Sequence, residues 1–248
     1  ERLLESFAFL TARIQTRIDS QHAEIPSAML GVLHPYLVDP IPPMSSVCFR
    51  ASKEKQPAPS GRVVPRGTPL YAQSMQGDFC RFRTCYDVDI RPIEITDASI
   101  EPVSNYTYFD TSRVGSVLAI KIKGLGLPMS DIPMGKLRLH LSGDRSLAMD
   151  LYELLSSNVI STVFLGDTEQ QFRVLSHSTI TEVGFGPEES VLPDREEANS
   201  SYRLLLEYFS FPEKFLYFDI NELDERPDSD TLTVLFGLDK PPSRTVNP

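Results

Sequence analysis

Residues 79–90 read FCRFRTCYDVDI and alternate between two kinds of side chain. The even positions are mostly apolar, whereas the odd positions mostly carry arginine and aspartate. Because successive side chains of a strand point to opposite faces, this period of two predicts a β-strand with one buried and one solvated face. Pro92 interrupts the pattern and Ile93 and Ile95 resume it, which predicts a bulge or a sheet edge. The same alternation recurs in Val117–Ile122 and Lys136–Leu141.

The amino-terminal residues have a helical period instead. Within residues 1–19, apolar side chains recur at spacings of three and four, so they share one face of a predicted helix. These side chains are Leu3, Phe7, Leu10, Ile14 and Ile18. A second helix is predicted near 25–33, with Pro26 in its first turn and Pro35 beyond its end. The proline-rich residues 39–44 predict an extended linker.

Helical and strand patterns alternate over the second half of the chain. A helix is predicted at about 145–159, with Gly143-Asp144 as its cap, and another at 201–209, capped by Asn199 or Ser200. Short apolar runs predict further strands. These runs are Thr162–Leu165, Phe172–Leu175, Phe215–Ile220 and Leu232–Phe236.

Together these patterns predict an α+β protein that is mainly β. We expect amino-terminal helices followed by antiparallel β-sandwich or barrel-like domains with a few inserted helices. The predicted organisation is an amino-terminal helical segment over residues 1–39, a β-rich domain over 40–135 and a second α+β domain over 136–248.

Charge and composition exclude several classes of function. The 248 residues have a net charge of −10, and residues 182–230 alone hold 14 acids and four bases. Nucleic-acid binding is disfavoured, because it requires clustered Lys and Arg. No apolar run approaches the roughly 20 residues that span a bilayer, so no direct membrane insertion is expected. The three cysteines form no CxxC pair, which favours a reducing compartment.

Patterns that indicate catalysis or metal binding are missing from the sequence. The four histidines match no metal-ligand spacing. Gly124-Leu125-Gly126 and Gly184-Phe185-Gly186 are each followed closely by proline, so they predict strand-end turns rather than phosphate-binding loops. Asp87-x-Asp89 and the acids of residues 188–197 are interpreted as solvated carboxylates. We therefore predict no catalytic, cofactor-binding or metal-binding residues.

Residues 208–218 contain six aromatic side chains in 11 residues, at a predicted junction between helix and strand. Two interpretations stay open at this point. The cluster is either a core hinge where the helix docks on its sheet, or a hot spot that binds another protein.

Five ordered segments share their pattern with one known family. They read ERLLESFAFLTARIQ (1–15), PIPPM (40–44), RGT with CRFRTCYDV (66–68 and 80–88), LRLHLSGDR (137–145) and YRLLLEYFSFPEKFLYFD (202–219). They resemble the TssF family, also called ImpG or VasA, a baseplate component of the bacterial type VI secretion system. Members of that family are considerably longer, so we expect the numbering to begin inside a longer protein.

The resemblance implies a structural scaffold that is not an enzyme and binds no cofactor. Family members pair with TssG in a wedge that also engages TssK, and the wedges surround the VgrG spike as a platform for sheath and tube assembly. The implied partners are therefore TssG, TssK, a second TssF copy, the VgrG spike and sheath components. The implied location is cytoplasmic, within the baseplate at the inner face of the bacterial inner membrane.

The apolar face of the first helix is the candidate interface with a partner. Contact with TssG requires the pattern of Leu3, Phe7, Leu10, Ile14 and Ile18, but packing against the chain's own domain requires it equally. The rival hypothesis from another class is a carbohydrate-active hydrolase on a β-sandwich, which would need a cleft with paired carboxylates. A sugar-binding module is a further alternative.

Overall fold

The computed structural model of the protein describes residues 2–35, 39–51, 58–168, 170–193 and 200–241. These residues form two compact units. Unit 1 holds the described residues up to Pro43, and unit 2 holds those from Met44 onward. The boundary lies in the proline-rich stretch predicted as a linker, where residues 40–51 contain neither helix nor strand.

Unit 1 contains one long helix, α1, over Arg2–Leu33. The prediction of two helices, at 1–19 and 25–33, is therefore wrong, because the chain stays helical through residues 20–24. That segment reads Ser-Gln-His-Ala-Glu and contains no strong helix breaker. Pro26 lies inside α1. Its ring removes one backbone hydrogen bond, and the remaining turns on both sides keep the helix continuous.

The described residues of unit 2 combine strands with two α-helices. The strands are β1 (Arg62–Val64), β2 (Pro69–Gln73), β3 (Phe79–Arg83), β4 (Val88–Ile90), β5 (Ile93–Pro102), β6 (Ser116–Gly124), β7 (Leu137–His140), β8 (Val159–Leu165), β9 (Phe172–Leu175), β10 (Ile180–Glu182), β11 (Tyr217–Ile220) and β12 (Thr231–Leu238). The helices are α2 (Arg145–Ser157) and α3 (Ser200–Ser210).

All strand pairs in the described residues are antiparallel. The largest sheet has the order β5-β6-β12-β8-β9, and a three-stranded sheet has the order β10-β11-β7. Two small sheets, β1-β4 and β2-β3, consist of two strands each. The predicted α+β class with antiparallel sheets is confirmed, although no sheet in the described part of the chain closes into a barrel.

The five-stranded sheet is covered on both faces. Leu235 and Phe236 are neighbours in β12, so their side chains point to opposite faces, and both are fully buried. Phe236 lies in the main core, together with Leu155 of α2 and Phe218 of the three-stranded sheet. Leu235 lies in a smaller core with Phe109, which belongs to the connection between β5 and β6.

The five-stranded sheet draws on both halves of unit 2. Its strands β5 and β6 come from the predicted domain 40–135, whereas β8, β9 and β12 come from the predicted domain 136–248. The two segments therefore contribute to one sheet and to one main core.

The cap predicted for α2 is confirmed. Oδ1 of Asp144 accepts hydrogen bonds from the backbone N–H of Ser146 at 3.0 Å and of Leu147 at 3.2 Å. These bonds satisfy donors that the first turn of a helix leaves without a partner. The helix ends at Ser157, slightly before the predicted end, because Val159 already belongs to β8.

The prediction of one strand over residues 79–90 is wrong. The segment forms two strands, β3 and β4, which belong to different two-stranded sheets. The break lies at Thr84, whose hydroxyl donates to the carbonyl of Pro65 at 2.8 Å and accepts from the N–H of Thr68 at 3.0 Å. These bonds bury Thr84 in a bend, which no local alternation reveals. The edge predicted after Pro92 is confirmed, since β5 is an edge strand with a register shift.

Candidate interaction surfaces

The five predicted interface residues lie along one side of α1 and are all exposed. They are Leu3, Phe7, Leu10, Ile14 and Ile18, called here the apolar stripe. Their exposed fractions run from 42% at Ile18 to 86% at Leu3. With a rise of about 1.5 Å per residue, the stripe is roughly 22 Å long.

A stripe of this size is typical of a helix that packs against another surface. Covering one large apolar side chain is worth about 2 kcal/mol, so the five residues together represent a substantial driving force for association. Ile25 and Met29 continue the same side of α1 and are also exposed. Spacings of three and four residues are those used when the side chains of one helix insert between those of another.

The aromatic cluster of residues 208–218 divides between core and surface. Phe215 is buried, whereas Tyr208 and Phe209 are 52% and 79% exposed. The ring of Phe185 lies 5.0 Å from that of Phe215, and the ring of Tyr208 lies 6.0 Å from it. The core-hinge interpretation therefore describes the strand side of the cluster, while α3 carries aromatic side chains at the surface.

A buried ion pair holds α3 in place beside these rings. Glu207 and Lys214 are almost completely buried, and the ammonium group of Lys214 donates to Oε2 of Glu207. Oε1 of Glu207 accepts the backbone N–H groups of Val191 and Leu192, each at 2.9 Å. The carboxylate thus ties the preceding loop to the helix, and its charge is compensated inside the protein.

A second polar network centres on Arg138 of β7. Its guanidinium donates to both carboxylate oxygens of Asp219, at 2.8 and 2.9 Å, and to Oε1 of Glu189 at 3.0 Å. It also lies over the ring of Tyr86, with Cζ 4.8 Å from the ring centre. Lys136 adds an ion pair to Asp219 at 3.0 Å. The network connects the three-stranded sheet to the loops that carry Tyr86 and Glu189, so its role is structural.

The same network makes stability depend on pH. Burial by itself raises the pKa of Asp219, but the hydrogen bonds and charges of Arg138 and Lys136 outweigh it and hold that pKa below its ordinary value. A carboxyl group with a lower pKa in the folded state stabilises the fold fully above its unfolded pKa of about 3.9. This contribution is lost as the pH falls through the folded pKa.

We expect Asp219→Asn to lower the free energy of unfolding by about 2 kcal/mol near neutral pH, because it leaves the Arg138 guanidinium without its main acceptor. The difference from the unmodified protein should shrink as the pH falls below about 4, because the Asp219 carboxyl then takes up a proton in the unfolded state before it does so in the folded state. Urea unfolding at a series of pH values measures both effects.

Asp97→Asn is the matched control for this pH experiment. The side chain of Asp97 is 39% exposed and pairs with Lys121 at 3.1 Å, so its loss should change stability by less than about 1 kcal/mol. An Asp219→Asn difference that stays constant down to about pH 2.5 would contradict the assigned role of the carboxylate.

The pair Asp87-x-Asp89 has ordinary structural partners. Oδ1 of Asp87 accepts the backbone N–H of Arg66 at 2.6 Å, and Asp89 pairs with Arg91 at 3.4 Å. Within the described ranges, no three His, Cys, Asp or Glu side chains come together as a metal site would require.

The acids and glycines considered for other chemistry also have structural explanations. Glu188 is exposed, and Glu189 accepts the N–H of Gly184 at 2.6 Å in addition to its ion pair with Arg138. The acids at 194, 196 and 197 lie outside the described residues. Gly124 is the last residue of β6 and Gly126 has a φ of +76°, as expected for a strand-end turn.

These features define an α+β protein that keeps large apolar side chains at its surface, as subunits of larger assemblies do. The family model described as "Type VI secretion system, TssF" matches residues 1–248, so the chain belongs to the TssF family. The resemblance identified in the sequence is thereby confirmed. The carbohydrate-related alternatives receive no support from this assignment.

Two known proteins are similar to the chain. The chain is 29% identical to the type VI secretion system component TssF1 of Pseudomonas aeruginosa, over 96% of this chain and 40% of that protein. It also resembles a chain of the type VI secretion system TssK-TssF-TssG baseplate subcomplex, solved by cryo-electron microscopy, with a TM-score of 0.73 and 22% identity over 100% of this chain and 46% of that chain. The chain therefore spans less than half the length of these relatives.

Among the helices described, none has the length and apolar character needed to cross a membrane.

Proposed function

We propose that the chain acts as a structural subunit of the type VI secretion baseplate wedge, where it holds neighbouring proteins in register without catalysing a reaction. Membership of the TssF family supports this function, as does the similarity in fold to a chain of a TssK-TssF-TssG subcomplex. The observation that carries the proposal is the exposed apolar stripe on α1. Such a surface favours a role in assembly over a role in catalysis.

In this proposal the apolar stripe is the contact with TssG. Side chains that remain exposed on a helix of this length gain most by inserting into an apolar groove or between the residues of a partner helix. Phe7 and Ile14 lie in the inner part of the stripe, where a partner would exclude water most completely. TssK, a second copy, the VgrG spike and the sheath components are the further partners of the assembled wedge. The wedge then lies on the cytoplasmic side of the inner membrane.

We expect the double substitution Phe7→Glu and Ile14→Glu to abolish the complex with TssG. Two carboxylates would have to be buried without a partner, and two large apolar contacts would be lost. Co-expression of the protein with tagged TssG, followed by affinity purification, measures the loss. The β-rich unit should keep its thermal unfolding transition, because the substitutions lie in unit 1.

Phe9→Glu provides the matched control for the TssG complex. Phe9 is on the same helix and is 68% exposed, but it lies about 200° around the helix axis from Phe7. The Phe9→Glu protein should therefore bind TssG as strongly as the unmodified protein does. Normal binding by the double variant, or equal loss with Phe9→Glu, would refute the stripe as the contact.

A further inference from the structure

The hairpin formed by β2 and β3 presents one face entirely to solvent. In its antiparallel register, Tyr71 lies opposite Arg81, Gln73 opposite Phe79, and Pro69 opposite Arg83. Residues directly opposite each other share a face, and all six of these residues are exposed. Tyr71 and Phe79 are 66% and 76% exposed. The four residues Tyr71, Phe79, Arg81 and Arg83 are called here the hairpin face.

The hairpin is ordered by its own contacts at both ends. At the base, the N–H of Gly67 donates to the carbonyl of Thr84 at 2.9 Å, and the N–H of Thr84 donates to the carbonyl of Thr68 at 3.1 Å. At the tip, the N–H of Ser74 donates to the carbonyl of Asp78 at 2.8 Å. A face held in this way loses little conformational entropy when it binds.

The outer edge of β3 is open in the part of the chain that the structure describes, since β3 pairs there with β2 alone. A two-stranded ribbon is marginally stable in water and gains from a third strand. An extended segment of another protein adds to such an edge through main-chain hydrogen bonds, and the side chains on alternate positions then decide which segment binds.

The charge of this region is opposite to that of the whole chain. Residues 62–83 contain four arginines and one aspartate, whereas the chain as a whole has a net charge of −10. Arg81 and Arg83 form no ion pair with any of the described residues, although the chain contains 34 acids. Guanidinium groups bind carboxylates through two parallel hydrogen bonds, so this face is suited to an acidic partner.

We propose that the hairpin face binds an extended, acidic segment of another protein, which adds as a strand to the edge of β3. Side chains two residues apart on a strand are separated by about 6.8 Å, so two acids at alternate positions match Arg81 and Arg83. A third alternate position then lies beside Phe79 and takes an apolar side chain. The expected pattern is acid-x-acid-x-apolar, or its reverse for a parallel strand. The proposal is independent of the apolar stripe and of TssG.

Selection from a random 12-residue peptide library displayed on phage tests this proposal with the full chain as bait. We expect enriched peptides to contain the pattern, and a labelled synthetic copy to bind about tenfold more weakly to Arg81→Gln/Arg83→Gln than to the unmodified protein. The affinity should fall with salt. Arg113→Gln/Arg145→Gln removes two exposed arginines elsewhere and should leave the affinity unchanged. Thermal unfolding establishes that each variant is folded.

A reversal of charge separates recognition from general damage to the hairpin. Arg81→Glu/Arg83→Glu should lose the acidic peptide and gain a version in which lysine replaces both acids. Enrichment of no peptide, or of peptides that bind both glutamine variants equally, would overturn the proposal. The proposal would also be overturned if the same arginines bound a single-stranded oligothymidylate more strongly than the acidic peptide. Sedimentation velocity that detects self-association lost in Arg81→Gln/Arg83→Gln would assign the face to a second copy and overturn it as well.

Discussion

Lys214→Met is expected to lower the free energy of unfolding by about 3–5 kcal/mol, although methionine fills a similar volume. The loss arises because Glu207 is fully buried and Lys214 is the cation that compensates its charge. Without that cation the buried carboxylate keeps a charge that no partner compensates, which costs stability. Urea unfolding followed by circular dichroism measures the change.

A second substitution should restore much of this stability. Glu207→Gln/Lys214→Met removes both charges of this buried pair, and the amide oxygen of glutamine still accepts the N–H groups of Val191 and Leu192. Lys123→Met is the control, because Lys123 is exposed, and it should change stability by less than about 0.5 kcal/mol. A Lys214→Met protein as stable as the unmodified one would contradict the role of the pair.

The sequence predicts most reliably the elements whose pattern is both local and strong. Val117–Ile122 and Leu232–Phe236 are both predicted as strands, and they belong to β6 and β12, which pair in one sheet. The solvated face expected for Val117–Ile122 is wrong, because consecutive side chains such as Val117 and Leu118 are buried on opposite faces of the sheet. The residues of α2 combine a helical period with an aspartate cap, so the predicted start at about residue 145 agrees with the structure. In these cases burial and local preference favour the same structure.

Other features depend on distant contacts, which no local pattern contains. The alternation of residues 79–90 is real, but Thr84 turns inward to bond with Pro65, and the strand divides there. The continuity of α1 through Pro26 follows from the helical preference of its neighbours rather than from the proline itself. A proline or an alternating run indicates a local conformational preference. Contacts with the rest of the chain determine whether the folded structure follows that preference.

The apolar stripe and the hairpin face also differ in whether a local sequence pattern predicts them. The apolar stripe was predicted because helical spacing places its five residues on one face, although spacing does not identify the partner. The hairpin face was missed, since the alternation suggested that the face with Phe82 is buried and gave no reason to single out Phe79 and Tyr71. The pairing of Glu207 with Lys214 was also missed, because the two residues meet only through the bend between α3 and β11.

Gly124→Ala is expected to lower the free energy of unfolding by about 3 kcal/mol or more. Gly124 ends β6, opposite Ile93 of β5, and the chain turns immediately after it. A Cβ atom at this position would lie 1.9 Å from the carbonyl oxygen of Leu127, far inside any van der Waals contact. Because the obstacle is backbone, no rotation of a side chain relieves it, and the turn must open at the end of the sheet.

Gly126→Ala, two residues further on, separates this clash from the general cost of replacing a glycine. Gly126 has a φ of +76° and nothing within 4 Å of an added Cβ, so alanine there suffers only backbone strain of about 1 kcal/mol. Thermal and urea unfolding of the two variants side by side should therefore rank Gly124→Ala well below Gly126→Ala in stability. Equal losses would mean that the turn accommodates the methyl group, and the close approach of Leu127 would then not require glycine.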